Sequence, residues 1–384
     1  MVEKEIFYQG LNYLTAGQTI VEKEEIYLQI LEDVKNAFNF LKVEIKAVTY
    51  KVFYSFTRFI FEVENKNDYL KLEDLSPLDI SAAMGFKYRD VALFLNQADG
   101  AVCVDVPINQ RNLFCIKDAL QEDAGETSGL IYPVGVKEIG EKPLFADLTK
   151  QPHLFISGAT GTGKSVFLNA IILSLALKYS PEELNFIMVD PKIVELNCFK
   201  KLPHLRGDII TDMPSFIAKM QEVTSLVNER YELFEKSDCV EIKQYNSKAK
   251  EENKQILPYV VVLIDEIGDL LYGRNSELIA LLRGILVKSR AAGIHFIFTT
   301  QNVRGIKDYS LLLENVSARI AFKLCCWEDS EVVIGDGSAT SLLGRGDALF
   351  GYTYSSTVER LQTPYIDIRE LLSLIDFIED VYKK

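Results

Sequence analysis

The sequence predicts an α/β protein, a core with a parallel central sheet preceded by a small α+β unit. Three observations predict it. From His153 onward, apolar strand-like runs alternate with helix-length segments: "HLFISG", "LNFIMVD", "YVVVLIDE", "IHFIFTTQ" and "SARIAFKL". Such alternation marks strands joined by helical crossovers. A glycine-rich stretch, "GATGTGKS", lies between the first run and a long apolar helical pattern. Ahead of these, one amphipathic helix pattern is followed by segments rich in β-branched and aromatic residues, which is an α+β order.

Residues 1–20 show no clear pattern and are set apart as an N-terminal extension. From Tyr27 to Leu41, the residues Ile30, Leu31, Val34, Phe38 and Leu41 recur on one helical face. "VEIKAVTYKVFYSFTRFIFEV" predicts two strands, Val43–Tyr50 and Arg58–Val63, "PLDISAAMGF" a helix and "GAVCVDVPI" a further strand. Residues 21–124 are therefore read as the small α+β domain. The polar, glycine-containing "QEDAGETSG" (Gln121–Gly129) marks its end, and 125–384 form the second domain. That domain opens with "LIYPVGV" and "KPLFADL", a candidate hairpin around Gly140. "KSDCVEIKQYNSKAKEENKQ" (Lys236–Gln255) reads as a charged, solvated insertion between helix and strand.

The bulk numbers exclude several classes. With 384 residues, 48% hydrophobic and 25% charged, the chain has ordinary globular composition. No apolar run is long enough to cross a bilayer, and the start, "MVEKEIFYQG", has no signal-peptide character. A cytoplasmic chain without a membrane anchor is expected. Six scattered cysteines and three histidines lack metal-ligand spacing, so zinc is not expected and buried free thiols are. A net charge of −13 argues against a globally basic nucleic-acid binder. It leaves room for a local basic surface, such as a ring lining made by several subunits.

Gly158-x-x-x-x-Gly163-Lys164-Ser165 matches the phosphate-loop pattern, in the strand–loop–helix context that pattern requires. Residues Gly158, Ala159, Thr160, Gly161, Thr162, Gly163, Lys164, Ser165 and Val166 are the candidate nucleotide-binding set. Glycines let successive backbone N–H groups converge on phosphate oxygens, and the helix N-terminus adds its dipole. Lys164 is assigned to the β- and γ-phosphates and Ser165 to magnesium. "YVVVLIDEIGDL" ends a buried strand in Asp265-Glu266, at the edge where parallel sheets place their sites. Asp265 is the second candidate magnesium residue, and Glu266 the candidate base for an attacking water. Gln301, ending "IHFIFTTQ", is a candidate γ-phosphate or water contact. Phosphoryl transfer needs positive charge at its transition state. Arg230, Arg290 and Arg319 are the candidates, and spacing alone does not choose among them.

At these residues the chain resembles the FtsK/SpoIIIE-type DNA translocases. The resemblance extends beyond the phosphate loop. "KPLFADLTKQPHLFISGATGTGKSVFLNAIILSL", "FIMVDPKIVELNCFKKLPHL", "ITDM", "NERYELF", "LIDEIGDL", "RAAGIHFIFTTQ", "SARIAFKL" and "LLGRGDALF" follow in family order, over about residues 130–370. The front unit is similar, more weakly, to the domain that precedes the family's motor.

The resemblance implies a RecA-like motor over 125–384 and an outer tier before it. It implies a homo-hexameric ring around double-stranded DNA, gripped without sequence preference and driven by ATP and Mg2+. Lys164, Ser165, Asp265, Glu266 and Gln301 keep the roles given above. Arg230, in the family's Glu-Arg-Tyr helix, becomes the preferred arginine finger and Arg319 the second choice. Asp190 and Lys192 match the family's Asp-Pro-Lys segment, which is expected to link strand to interface. Where the family has Gln-Arg-Pro-Ser, this chain has "QNVRGIKDY". Arg304, Lys307 and Arg274 are the substitute DNA-backbone contacts, carrying no sequence information. No winged-helix module and no membrane span are read in the sequence, which favours a mobile-element, plasmid, phage or defence-system role. Two other readings stand beside it: a conjugative-coupling or protein-export ATPase working with a channel protein, and an ATP-switched scaffold ring for a partner effector.

Overall fold

The computed structural model describes residues 2–18, 23–63, 65–88, 91–96, 101–108, 112–123, 129–271, 276–303, 312–352 and 358–383. The strands are β1 Lys46–Val52, β2 Phe56–Glu62, β3 Ala92–Asn96, β4 Ala101–Pro107, β5 Ile131–Gly135, β6 Leu144–Asp147, β7 His153–Ser157, β8 Leu184–Val189, β9 Tyr259–Ile264, β10 Ile294–Thr300, β11 Ala318–Phe322, β12 Asp347–Tyr352 and β13 Val358–Gln362.

The front unit is an antiparallel sheet of order β1-β2-β4-β3. The helix Glu24–Phe40 lays Ile30, Val34 and Phe38 onto Phe59, Phe61, Val102, Val104 and Val106. A capping box, Ser76 with Asp79, starts the helix Pro77–Ala83. The first strand begins at Lys46, three residues after the predicted start. Lys42 has φ +57°, and the Val43 N–H bonds back to the Phe38 carbonyl, so the helix's closing turn takes up those residues.

The larger sheet has order β13-β12-β11-β7-β10-β9-β8. β11, β7, β10, β9 and β8 are parallel, while β12 and β13 run antiparallel at one edge. Its central strands are buried on both faces, and side-chain alternation divides them. Leu154, Ile156, Val261, Leu263 and Ile297 enter one core, beside the helices Lys164–Lys178 and Ile368–Tyr382. Phe155, Val260, Val262, Ile264, Phe296 and Phe298 enter the other, beside Met213–Lys236 and Ser276–Ser289. β5 and β6 form the expected hairpin.

Three features differ from expectation. Phe7, Leu11 and Leu14 of the N-terminal extension bury in the core of the larger unit, as do Ile116 and Leu120. The charged insertion holds a helix, Ile242–Glu251, whose Ile242 and Ala249 are buried; residues seven apart share a helical face, so the segment docks through them. All six cysteines are free, but only Cys115 is buried; Cys325 is exposed where β11 turns into the helix Trp327–Ile334.

Candidate nucleotide site

The carboxyl ends of β7, β10 and β9 lie side by side: Ser157 pairs with Thr300, and Phe298 with Ile264. The phosphate loop therefore leaves the sheet next to Gln301 and one strand from Asp265-Glu266. The loop is pinned on both flanks. The Gly158 N–H donates to the Thr300 carbonyl (3.2 Å) and the Ala159 N–H to that of Lys323 (3.0 Å). Gly163, at φ +118°, begins the helix Lys164–Lys178. A Cβ there would stand 2.7 Å from the Gly346 nitrogen, so only glycine lets the second loop, Gly344-Arg345-Gly346, pack backbone to backbone on the phosphate loop. The Gly346 N–H fastens it by donating to the Thr162 carbonyl (2.8 Å).

Lys164 is buried, with its Nζ 4.0 Å from Asp265 Oδ1 and 3.8 Å from Glu266 Oε2. Both carboxylates are buried and held from β10. Thr299 Oγ1 donates to Asp265 Oδ1 (2.6 Å). Thr300 Oγ1 donates to Glu266 Oε1 (2.7 Å), and the Gln301 N–H to Glu266 Oε2 (3.0 Å). Burial pushes the Asp265 carboxyl up, against the Thr299 hydrogen bond and the Lys164 charge, which pull it down. Glu266 has φ +52°, a left-handed conformation that a non-glycine residue holds only where its surroundings compel it. Gln301 is exposed and accepts from Thr160 Oγ1 (2.9 Å) on the phosphate loop.

Asp190, fully buried, follows β8 and accepts the N–H groups of Lys192, Val194, Glu195 and Leu196. The loop so formed places Lys192 Nζ 3.1 Å from Asp269 Oδ2 and 3.8 Å from Glu266 Oε2. Burial lowers that ammonium's pKa, but the Asp269 hydrogen bond and the Glu266 charge more than offset it.

Residues 121–304, which hold the phosphate loop, Asp265-Glu266 and Gln301, match the model of the FtsK/SpoIIIE family. The chain carries an FtsK/SpoIIIE-family domain. It is 31% identical over 328 residues to the DNA translocase FtsK of Staphylococcus epidermidis, covering 79% of this chain and 41% of that one. Against the FtsK of Treponema pallidum it is 36% identical over 278 residues, covering 72% and 35%. The chain thus spans about two-fifths of the curated relatives it matches. Among solved structures, the pCW3 conjugation coupling protein TcpA, with ATPγS, shares the fold over 90% of this chain and 98% of its own (TM-score 0.61, 20% identity). The cytoplasmic domain of the Thermomonospora curvata type VII secretion ATPase EccC matches 64% of this chain and 30% of its own (TM-score 0.56, 25% identity). The larger unit has the P-loop ATPase fold of these proteins.

The three candidate arginines sit in different settings. Arg230 is 2% exposed, which leaves no guanidinium to offer a neighbour. It donates to the carbonyls of Ala292 (2.5 Å) and Pro258 (2.7 Å), just before β10 and β9, at the sheet edge opposite the phosphate loop. Arg319, near the start of β11, donates to the carbonyls of Val332 and Val333 (both 3.3 Å) and Leu313 (3.1 Å), capping the helix Trp327–Ile334. Arg290 is exposed, at the same amino edge as Arg230. Arg274, Arg304 and Lys307 lie outside the described residues.

Sequence reasoning missed Thr299 and Thr300, although "TTQ" ends the strand it singled out. It also missed a buried ion-pair chain joining the two units at this site. Arg58 on β2 pairs with Asp105 on β4 (2.7 and 2.9 Å), and Asp105 pairs with Arg360 on β13. Arg360 pairs with Asp347 (2.9 and 2.7 Å), whose Oδ2 accepts the Leu343 N–H (2.7 Å) just before the second loop.

Proposed function

We propose that this chain is an ATP-driven double-stranded DNA translocase that works as a homo-hexameric ring. The observation that carries the reading is the convergence, on one sheet edge, of a phosphate loop, its lysine and two buried carboxylates within 4.0 Å of that lysine. DNA as substrate is supported by the FtsK likeness in sequence. Mobile-element, plasmid, phage or defence service remains part of the proposal.

The donor set fits magnesium. Ser165 offers a hydroxyl and Asp265 a carboxylate, hard oxygen donors, and Mg2+ is commonly held by one or two carboxylates plus substrate phosphates. No cluster of three or more His, Cys, Asp or Glu suited to a metal occurs among the described residues, which agrees with a site completed by the nucleotide. Bound there, the ion would draw charge from the β- and γ-phosphate oxygens.

The chain's own groups do the rest. The backbone N–H groups of Gly161–Ser165 cradle the phosphates at a helix N-terminus. Lys164 moves its charge from the carboxylates to the β- and γ-phosphates. Glu266 orients the attacking water and takes its proton, while the Thr300 hydroxyl and the Gln301 N–H keep its carboxylate aimed. Those bonds come from the last residue of β10 and from Gln301, which follows it. Contact between Gln301 and the nucleotide is thus felt at Glu266. Arg290, the exposed member of the three arginines, is the one assigned to the neighbouring subunit's site. No helix among the described residues is long and apolar enough to cross a membrane.

The test is ATPase rate with and without linear duplex DNA at low salt, where phosphate contacts are strongest. Stimulation by DNA, lost in Glu266→Gln, supports the motor. Hydrolysis indifferent to DNA sinks it in favour of the scaffold reading.

A further inference from the structure

The second loop, Gly344-Arg345-Gly346, does not hold its shape alone. Its three residues are all left-handed, at φ +69°, +54° and +93°, and a residue with a side chain, such as Arg345, disfavours that region. The loop is held from outside, and two polar chains reach it from the front unit.

The first chain starts at Ser55, buried in the turn between β1 and β2. Ser55 Oγ donates to Gln362 Oε1 (2.6 Å), and Gln362 Nε2 donates to the Arg345 carbonyl (3.0 Å). The serine hydroxyl thus keeps the donor end of the amide turned to the loop. A Cβ at Gly346 would collide with that amide, so glycine lets the glutamine lie against the loop. The second chain is the ion-pair series. Asp105 on β4, fully buried, holds Arg360; Arg360 holds Asp347, which accepts the Leu343 N–H. The Arg360 guanidinium also lies 4.1 Å from the centroid of the Phe56 ring on β2. One chain ends just before the loop and the other within it. From there the Gly346 N–H, donating to the Thr162 carbonyl, reaches the phosphate loop.

We infer that Ser55 and Asp105 of the front unit are positioning residues for the nucleotide site. Through Gln362 and Arg360 they hold the second loop against the phosphate loop and so raise its affinity for nucleotide. The inference rests on the reading that the phosphate loop binds a nucleoside triphosphate. A loop clamped before binding loses less freedom when its ligand arrives. The coupling is reciprocal: nucleotide in the site strengthens the docking of the front unit by the same factor.

Calorimetric titration with ATPγS and Mg2+, beside steady-state ATPase rates and melting temperatures, tests the coupling. Ser55→Ala should weaken ATPγS about three- to tenfold, the size of one hydrogen bond, while kcat at saturating ATP stays within about twofold. Asp105→Asn should weaken ATPγS at least as much. Gln362→Met should also weaken it, and adding Ser55→Ala to that variant should cost nothing more, because the serine acts through the amide. Val34→Ala, in the front unit's core and away from both chains, should lower the melting temperature and leave ATPγS affinity unchanged. Unchanged affinity in Ser55→Ala overturns the inference. So does a loss in Val34→Ala equal to that in Ser55→Ala, or additive losses in the double variant. Should Asp105→Asn fail to fold, Ser55→Ala and its pairing with Gln362→Met decide the matter. Failure of the wild type to bind ATPγS overturns the parent reading instead.

Discussion

Replacing Arg230 by methionine separates a structural arginine from a catalytic one. The side chain is 2% exposed and gives two hydrogen bonds to backbone carbonyls, at Ala292 and Pro258. Each leads directly into a central strand, so the guanidinium ties the helix Met213–Lys236 to the amino ends of β10 and β9. A hydrogen bond from a charged donor contributes about 1.5–3 kcal/mol net, and each carbonyl left buried without a partner costs about 1–3 kcal/mol. Methionine restores much of the volume but no donor. The expected loss is therefore about 3–5 kcal/mol, which at roughly 2–4 °C per kcal/mol lowers the melting temperature by about 6–20 °C. ATPase activity per folded molecule, measured well below the melting temperature, should stay within about threefold, since removing an arginine finger costs about 10³–10⁵ in kcat. Differential scanning calorimetry and a steady-state ATPase assay read both quantities on one preparation. An unchanged melting temperature with hydrolysis abolished would refute the placement of Arg230 as a strand clamp.

Two further outcomes follow from the same geometry. The chain's three histidines are all buried; burial pulls His153 and His204 down to about 4 and His295 to about 3. An unfolded histidine titrates near 6.5, so above that pH neither state carries the proton and stability is insensitive to these groups. As pH falls from about 6.5 to about 4, the unfolded chain takes protons that the folded one refuses. Each histidine then costs up to about 1.4 kcal/mol per pH unit, or about 3 kcal/mol for His153 at pH 4. Urea midpoints should be flat above pH 7 and fall steeply below 6.5; a flat profile down to pH 5 contradicts this. For Arg290, the expectation is that Arg290→Ala and Glu266→Gln are each at least about a hundredfold slower in ATP hydrolysis. Mixed together they should regain part of the rate, because mixed rings of the proposed kind would contain interfaces with one intact Arg290 facing one intact Glu266. Additive, unrescued rates in the mixture remove Arg290 from the neighbouring site.

The central sheet was legible because its strands are covered on both faces. "YVVVLI" and "IHFIF" are continuous apolar runs, and the structure divides each residue by residue between two cores. The candidate nucleotide site was legible because its parts sit at strand ends, where a glycine loop or a polar residue interrupts such a run. The burial of Arg230 was missed although the signal was present. Val223, Val227, Arg230 and Phe234 fall at i, i+4, i+7 and i+11 and are all buried, so the arginine stands in the apolar stripe of its own helix. The bridge between the Cys115 and Tyr365 segments had no local signal, since only the fold brings them together. The ion-pair chain Arg58–Asp105–Arg360–Asp347 was hidden for the same reason. The N-terminal helix Val2–Gly10 is short, and its position against the helix Lys164–Lys178 is set by tertiary packing of Phe7 and Leu11, not by helix propensity.

Movement along duplex DNA is the central claim, and displacement of a third strand tests it most directly. A triplex-forming oligonucleotide is bound at increasing distances from the free end of a linear duplex, and its release is followed after mixing protein, ATP and Mg2+. The account predicts ATP-dependent release with a lag that lengthens in proportion to that distance, and none with Glu266→Gln or a non-hydrolysable analogue. ATP hydrolysis by the wild type without any release, or release with a lag independent of distance, would contradict it.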